Sequence, residues 1–148
     1  MTNPIVKSVI VPVTPERAFT RFTSEIMRWW PVGKHSVSAG QGQSAQNVVI
    51  EPKEGGAVYE IMHNGERAEW GVVTRWSPPN GFTMTWHPGS SSEVATELSL
   101  GFEASETGTQ VTLTHSGWAV MAEKAEGMRQ HYSSGWDHVL GDCYAGNL

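Results

Sequence analysis

Apolar and polar positions alternate in short runs over most of this chain, and one long segment breaks that rhythm. Ile5 to Val13 alternates, with Val6, Ser8 and Ile10 set against Ile5, Lys7, Val9 and Val11, and reads as a first strand. Thr14 before Pro15 and Glu16 is an N-cap followed by proline at the first helical position. It predicts a short helix from Pro15 to about Phe22 that buries Ala18, Phe19 and Phe22. A second short helix is expected from Ser24 through Ile26, Met27, Trp29 and Trp30, stopped by Pro31. Gly, Ser, Gln and Ala then dominate from Val32 to Asn47, the composition of a loop and a candidate lid or entrance.

Strands resume at Val48 to Pro52, and Gly55-Gly56 turns the chain into Ala57 to Met62. Asn64-Gly65 is a hairpin signal leading to Arg67 to Trp76, in which Trp70, Val72, Thr74 and Trp76 share one phase. Pro78-Pro79-Asn80-Gly81 forms the next turn, and Phe82, Met84 and Trp86 share a face beyond it. Val94, Thr96, Leu98, Leu100 and Phe102 alternate along a further strand, and a turn at Gly108 returns the chain through Val111, Leu113 and His115. The long exception runs from Val120 to Tyr144. There Met121, Ala125, Met128, Tyr132, Trp136, Val139, Leu140 and Cys143 recur every three or four residues, the spacing of an amphipathic helix. Gly127, Gly135 and Gly141 interrupt it, and Ser133-Ser134-Gly135 marks a break in regularity beside Trp136. The expected order is strand, two short helices, six strands, helix. Strands joined by short turns should be antiparallel, and their apolar face needs a helix to cover it, an α+β arrangement with an enclosed space between the two.

Composition narrows the function. At 148 residues the chain fits one domain, residues 1–148, with room for a core. A net charge of −5 without a Lys/Arg cluster argues against nucleic acid, and no stretch is long enough for membrane insertion. A lone cysteine, Cys143, and no basic-then-apolar start point to a cytoplasmic protein. Seven Trp against four Phe and three Tyr is an unusual inventory. Several indoles facing one space make a surface suited to a flat or apolar ligand. Trp70, Trp76 and Trp86 fall on the apolar phases of their strands; with His115, Trp118, Met128, Tyr132 and Trp136 they form the expected ligand-binding set.

Glu60 and His115 are the candidate catalytic residues. The direction of Glu60 depends on the hairpin. A two-residue loop places it opposite Glu69 on the outer face, whereas a three-residue loop places it opposite Trp70 inside, and both readings stand. His115 shares the phase of Val111 and Leu113, which makes it inward, as a hydrogen-bonded core residue or as half of an acid–base pair with an inward Glu60. No metal site is expected: His131 and His138 lie on the order of 10 Å apart along the helix, and His35, His63 and His87 lack ligand spacing. Ser116 has no nucleophile elbow, no phosphate-binding glycine loop occurs, and no cofactor is expected.

The order of elements resembles a known superfamily. It does so together with Ala18-Phe19, Met27-Arg28-Trp29-Trp30, Glu54-Gly55-Gly56, Trp70-Gly71-Val72-Val73, Trp76-Ser77-Pro78-Pro79, Thr85-Trp86, Thr112-Leu113-Thr114-His115, and Gly135-Trp136 with Val139-Leu140. These segments are similar to the SRPBCC (START/Bet v 1-like) superfamily, in the branch of the activator of Hsp90 ATPase homologues. The resemblance implies a helix-grip fold, a curved antiparallel sheet of about seven strands around a long C-terminal helix with a cavity between. It does not imply one activity, since members bind apolar small molecules, catalyse reactions or stimulate a chaperone. The chaperone activator's additional N-terminal domain has no counterpart here, which argues against a co-chaperone role. The expected partner is a small apolar or aromatic molecule; an enzyme, a stress-related interaction module and a homodimer all remain compatible with the pattern.

Overall fold

Seven strands form one antiparallel sheet, described by a computed structural model covering residues 2–148. The strands are β1 (Ile5–Val11), β2 (Asn47–Ile50), β3 (Ala57–Ile61), β4 (Arg67–Ser77), β5 (Gly81–Trp86), β6 (Thr96–Ser105) and β7 (Gly108–Ser116). Their spatial order is β1-β7-β6-β5-β4-β3-β2, so every neighbour after β1 is also a neighbour in sequence. One face is apolar throughout: Leu98, Leu100 and Phe102 on β6, Val111, Leu113 and His115 on β7, and Phe82, Met84 and Trp86 on β5 are all buried. The helical elements cover that face. The helix-grip fold expected from the resemblance is the fold observed.

Helix α1 (Pro15–Phe22) forms as its capping signal predicts. Thr14 Oγ1 accepts from the Arg17 N–H at 3.2 Å, and Ala18, Phe19 and Phe22 are buried. The second short helix is reduced to a single 3₁₀ turn, Ile26–Arg28, because the aromatic pair behind it is held individually. Trp29 Nε1 donates to the Arg21 carbonyl at 2.7 Å and Trp30 Nε1 to the His35 carbonyl at 2.6 Å.

Two departures from simple alternation occur on β4. Its register against β3 slips between Val58 and Tyr59, and its register against β5 slips between Val73 and Arg75. Each slip reverses the side-chain phase. Trp70 is therefore buried and Val72, expected inside, is 44% exposed, while Val73 takes the inward position. Such bulges also bend a strand, which lets the sheet curl around its helix. Gly71 sits at the first bend, so close to β5 that a Cβ there would lie 1.8 Å from the Thr85 carbonyl oxygen.

The C-terminal helix is shorter and less regular than its periodicity predicts. Trp118–Lys124 is a 3₁₀ segment broken at Ala122, whose φ of 51° no regular helix allows, so Val120 and Met121 precede the helix proper. Helix α2 spans Ala125–Trp136. Asp137–Tyr144 continues it with π winding, and its last hydrogen bond runs five residues back from Ala145 N–H to the Leu140 carbonyl. Ser133-Ser134-Gly135, expected as a kink, stays in regular α-helix, and the departure from α winding begins only after Trp136. Tyr144 anchors the far end by donating to the Ala18 carbonyl at 2.7 Å, and Cys143 is half-buried. Among the described residues no helix is long and apolar enough to cross a membrane.

Replacing Gly71 by Ala should lower stability by roughly 2–3 kcal/mol, because β4 or β5 must shift to admit the methyl group. Urea unfolding checks this, and an unchanged midpoint would show that the two strands are not held so closely.

Candidate functional site

Between α2, strands β4 and β5, and two connecting segments lies a pocket of about 360 Å³. Its floor is indole: Trp30, Trp70, Trp86 and Trp136 line it, and neighbouring pairs stand 5.2–6.1 Å apart at 54–73° or, for Trp86 and Trp136, 5.5 Å apart at 49°. Rings packed at such tilts brace one another and leave edges and faces toward the open space. Helix α2 supplies Met128, His131, Tyr132 and Gly135, each one turn or nearly so from the next, and Val139 lies one turn beyond. The mouth is formed by residues 34–40 and by the turn at Pro88 and Gly89.

Of the expected ligand-binding set, Trp70, Trp86, Met128, Tyr132 and Trp136 are brought together here. Trp76, Trp118 and His115 are not. Trp76 keeps its inward phase, opposite Phe82, but lies at the far end of β4 under α1, 5.0 Å from the Phe19 ring and 5.7 Å from Phe82. Trp118 is sealed behind His115, at 4.3 Å between rings, and donates to the His115 carbonyl.

His115 is fully buried and both of its ring nitrogens are engaged. Trp136 Nε1 donates to Nδ1 at 3.0 Å, so Nδ1 carries no proton and Nε2–H is left to donate to Thr96 Oγ1 at 2.6 Å. Thr96 in turn donates to the Trp86 carbonyl at 3.2 Å. This chain fixes a neutral ring that links β7, β6, β5 and α2. Burial pushes the His115 pKa down from 6.5 to about 3.

Glu60 faces inward. The β3–β4 loop has three residues, His63, Asn64 and Gly65, as the Met62 N–H to Glu66 carbonyl bond shows, and Glu60 lies opposite Ala68 rather than Trp70. Its carboxylate is fully buried and accepts three N–H groups. Oε1 takes Val37 N–H at 2.6 Å and Trp70 Nε1 at 2.8 Å, and Oε2 takes Ser38 N–H at 3.1 Å. Glu60 and His115 therefore do not pair, and neither lines the pocket.

The segment from Val32 to Asn47, expected as a loop and entrance, is a structured strap. Besides the bonds to Glu60, Ser38 Oγ accepts from His63 N–H and contacts His63 Nδ1, both at 3.0 Å, and Ser36 Oγ bonds the Val32 carbonyl. The strap brings Lys34 and His35 to the mouth, residues that spacing arguments alone passed over. The signal for them was the entrance itself: a polar loop preceding an aromatic sheet supplies the groups at its rim. His35 leans over Gly135, where a Cβ would sit 3.5 Å from its ring, and its pKa is lowered by burial and by the neighbouring His138, His131 and Lys34. Burial raises the Tyr132 pKa. Trp86 Nε1 is buried without a hydrogen-bond partner in the protein, although the Tyr132 hydroxyl is near enough for this N–H to favour its ionised form.

A curved antiparallel sheet gripping a C-terminal helix over an aromatic pocket defines a helix-grip protein of the SRPBCC type. The chain belongs to the Activator of Hsp90 ATPase homolog 1-like family, whose model matches residues 12–142. Solved structures repeat the fold. Protein MLL2253 from Mesorhizobium loti superposes with a TM-score of 0.70 at 13% identity, over 96% of this chain and 94% of that one. The Aha1 dimer from Colwellia psychrerythraea gives 0.61 at 17% identity, over 93% and 96%. The anthrahydroquino-γ-pyrone synthase Txn09 gives 0.66 at 25% identity, over 99% and 97%. No curated protein sequence matches the chain.

Replacing Glu60 by Ala strands two backbone N–H groups and an indole N–H, at a cost of roughly 2–4 kcal/mol. Faster amide exchange at Val37 and Ser38 together with a lower denaturation midpoint checks this, and protection retained at those amides would contradict the role given to Glu60. His115 predicts a pH dependence. Its folded-state pKa lies below the ordinary value, so as pH falls the unfolded chain takes up the proton first. The stability contributed by the neutral ring is complete above pH ~6.5 and is lost as pH falls toward about 3. A His115→Gln variant, less stable throughout, should show a flatter stability profile across that window in denaturant titrations at stepped pH.

Proposed function

We propose that this protein binds a small, planar, largely aromatic molecule in the pocket between β4, β5 and α2. The observation that carries this reading is the pocket itself, about 360 Å³ with four indoles, a methionine and a tyrosine around it. That volume lies toward the small end of the ~300–1,000 Å³ typical of ligand sites. Four tilted indoles contribute apolar area and ring edges without conformational cost on binding, since they are locked in the core before the ligand arrives. In this reading Trp30, Trp70, Trp86, Met128, Tyr132 and Trp136 touch the ligand. His115, Trp118 and Glu60 are positioning residues that fix Trp136, Trp86, Trp70 and the strap. We place the protein in the cytoplasm on its single free thiol.

A second reading, as an enzyme of the same fold, is favoured by one observation, the 25% identity to a synthase over nearly the full length of both chains. With Glu60 and His115 occupied by structural bonds, the titratable groups that line the pocket are Lys34, His35, His131 and Tyr132, and of these His35 is assigned the base, since its lowered pKa keeps it neutral near pH 7. Under this reading His35→Gln loses far more turnover than affinity for a converted substrate; turnover that survives the substitution rules His35 out.

Gly135→Leu tests the binding reading. The new side chain leaves α2 toward the His35 ring at the pocket wall and takes up space there, while Leu is a better helix former than Gly by roughly 1 kcal/mol; an unchanged unfolding midpoint checks that the fold is kept. Affinity for a neutral planar probe such as anthraquinone, followed by quenching of Trp fluorescence, should fall by about tenfold or more. Equal binding by the variant and the parent protein would remove the pocket as the site.

A further inference from the structure

The ionisable groups around the pocket are one-sided. Lys34, His35 and His131 line it, and among the described residues no Asp or Glu does, in a protein whose net charge is −5. Glu60, beneath the strap, is fully buried with its oxygens taken up by N–H donors, so it forms no ion pair at the rim. One lysine and two imidazoles gathered at one mouth, with no carboxylate among the lining residues, offer an anion a cation and two nitrogen donors against the overall negative charge of the chain.

A second, independent observation lies deeper. Trp86 is 5% exposed and lines the pocket, and its indole N–H, although the Tyr132 hydroxyl is close by, makes no well-formed hydrogen bond in the protein, which leaves it open to a better-placed acceptor. Tyr132, half-buried beside it, adds a hydroxyl to the same wall.

Building on the binding reading above, we propose that the ligand is a planar aromatic acid. Its anionic oxygen group lies at the rim among Lys34, His35 and His131, and a ring oxygen accepts from the Trp86 N–H inside. The two polar features are separated by the indole floor, so a ligand that satisfies both must be flat and must carry oxygen at two places. The depressed pKa of His35 follows first from burial and then from its basic neighbours. The groups facing it are Lys34 on its own segment and His131 and His138 from the helix, the last also bonded to Asp142. Anion binding then favours the protonated form of His35 and draws a proton from solvent.

Two probes of matched shape separate this proposal from the reading it rests on: anthraquinone carboxylate and its neutral carboxamide, titrated near pH 7 at low salt. The acid should bind at least about tenfold more tightly, with the gap shrinking as salt rises. The double variant Lys34→Gln/His131→Gln, altered at two exposed positions, should bind acid and amide alike. The acid should also shift the Trp86 indole N–H resonance in a nitrogen–proton correlation spectrum, and calorimetry in buffers of different ionisation enthalpy should register proton uptake. Equal affinity for acid and amide in the parent protein overturns the proposal and leaves the aromatic pocket standing. A preference that persists in the double variant overturns the assignment of the rim. Binding of neither probe overturns both readings.

Discussion

A buried carboxylate held by N–H groups alone is the constraint on which the pocket depends. Glu60 has no cation beside it; two consecutive backbone amides of the strap and one indole take its place. Burying such a group is costly unless its oxygens are satisfied, so the bonds form as a set or the local structure opens as a set. One side chain thereby fixes three things: the strap over the mouth, the orientation of Trp70 in the floor, and the direction of the β3–β4 hairpin. The rim positions of Lys34 and His35 depend on the strap being held down, with the Trp30 indole N–H fixing the His35 carbonyl as well.

His115 plays the corresponding part on the other side. Its two nitrogens, the Thr96 hydroxyl and the indole N–H of Trp136 form one directional chain from helix to sheet, and a protonated ring would break that direction. The pocket walls are therefore set by hydrogen bonds lying behind the aromatic rings, and the rings present only their hydrocarbon to the interior, with Trp86 Nε1 as the exception. Both groups that look most like catalytic residues by type turn out to be fasteners. The groups free to act on a ligand are the ordinary-looking ones at the mouth.

Much of the fold was legible in the sequence because it rests on local rules. The Thr14-Pro15 cap, the Gly108 turn and the alternation along β6 and β7 each specify their element without reference to the rest of the chain. Trp70, Trp86, Met128, Tyr132 and Trp136 could be gathered on paper because two phases and one helical period point them the same way. What escaped depended on single-residue shifts and on long-range contact. The first bulge of β4 exposes Val72, and Trp76, inward as its phase requires, ends beneath α1 because it lies at the far end of the strand; no period-two pattern announces either. The start of α2 at Ala125 rather than Val120 is set by the backbone at Ala122. His35 reached the site through the strap's bonds to a carboxylate on β3, a contact that no local pattern encodes.

The π-wound end of the C-terminal helix gives the fold a spare residue. A turn that closes five residues back holds about one residue more than an α-turn, and in an α-helix each residue added or removed rotates the remainder of the helix by about 100°. Here the extra residue lies between Trp136, which belongs to the pocket, and Tyr144, which is moored to α1. The two ends are thus decoupled: the mooring can stay in place while a change of one residue in length re-aims Val139 and His138 relative to the mouth. Chain length within this π-wound segment is accordingly a tuning parameter for the rim, one that leaves the aromatic floor and the sheet untouched.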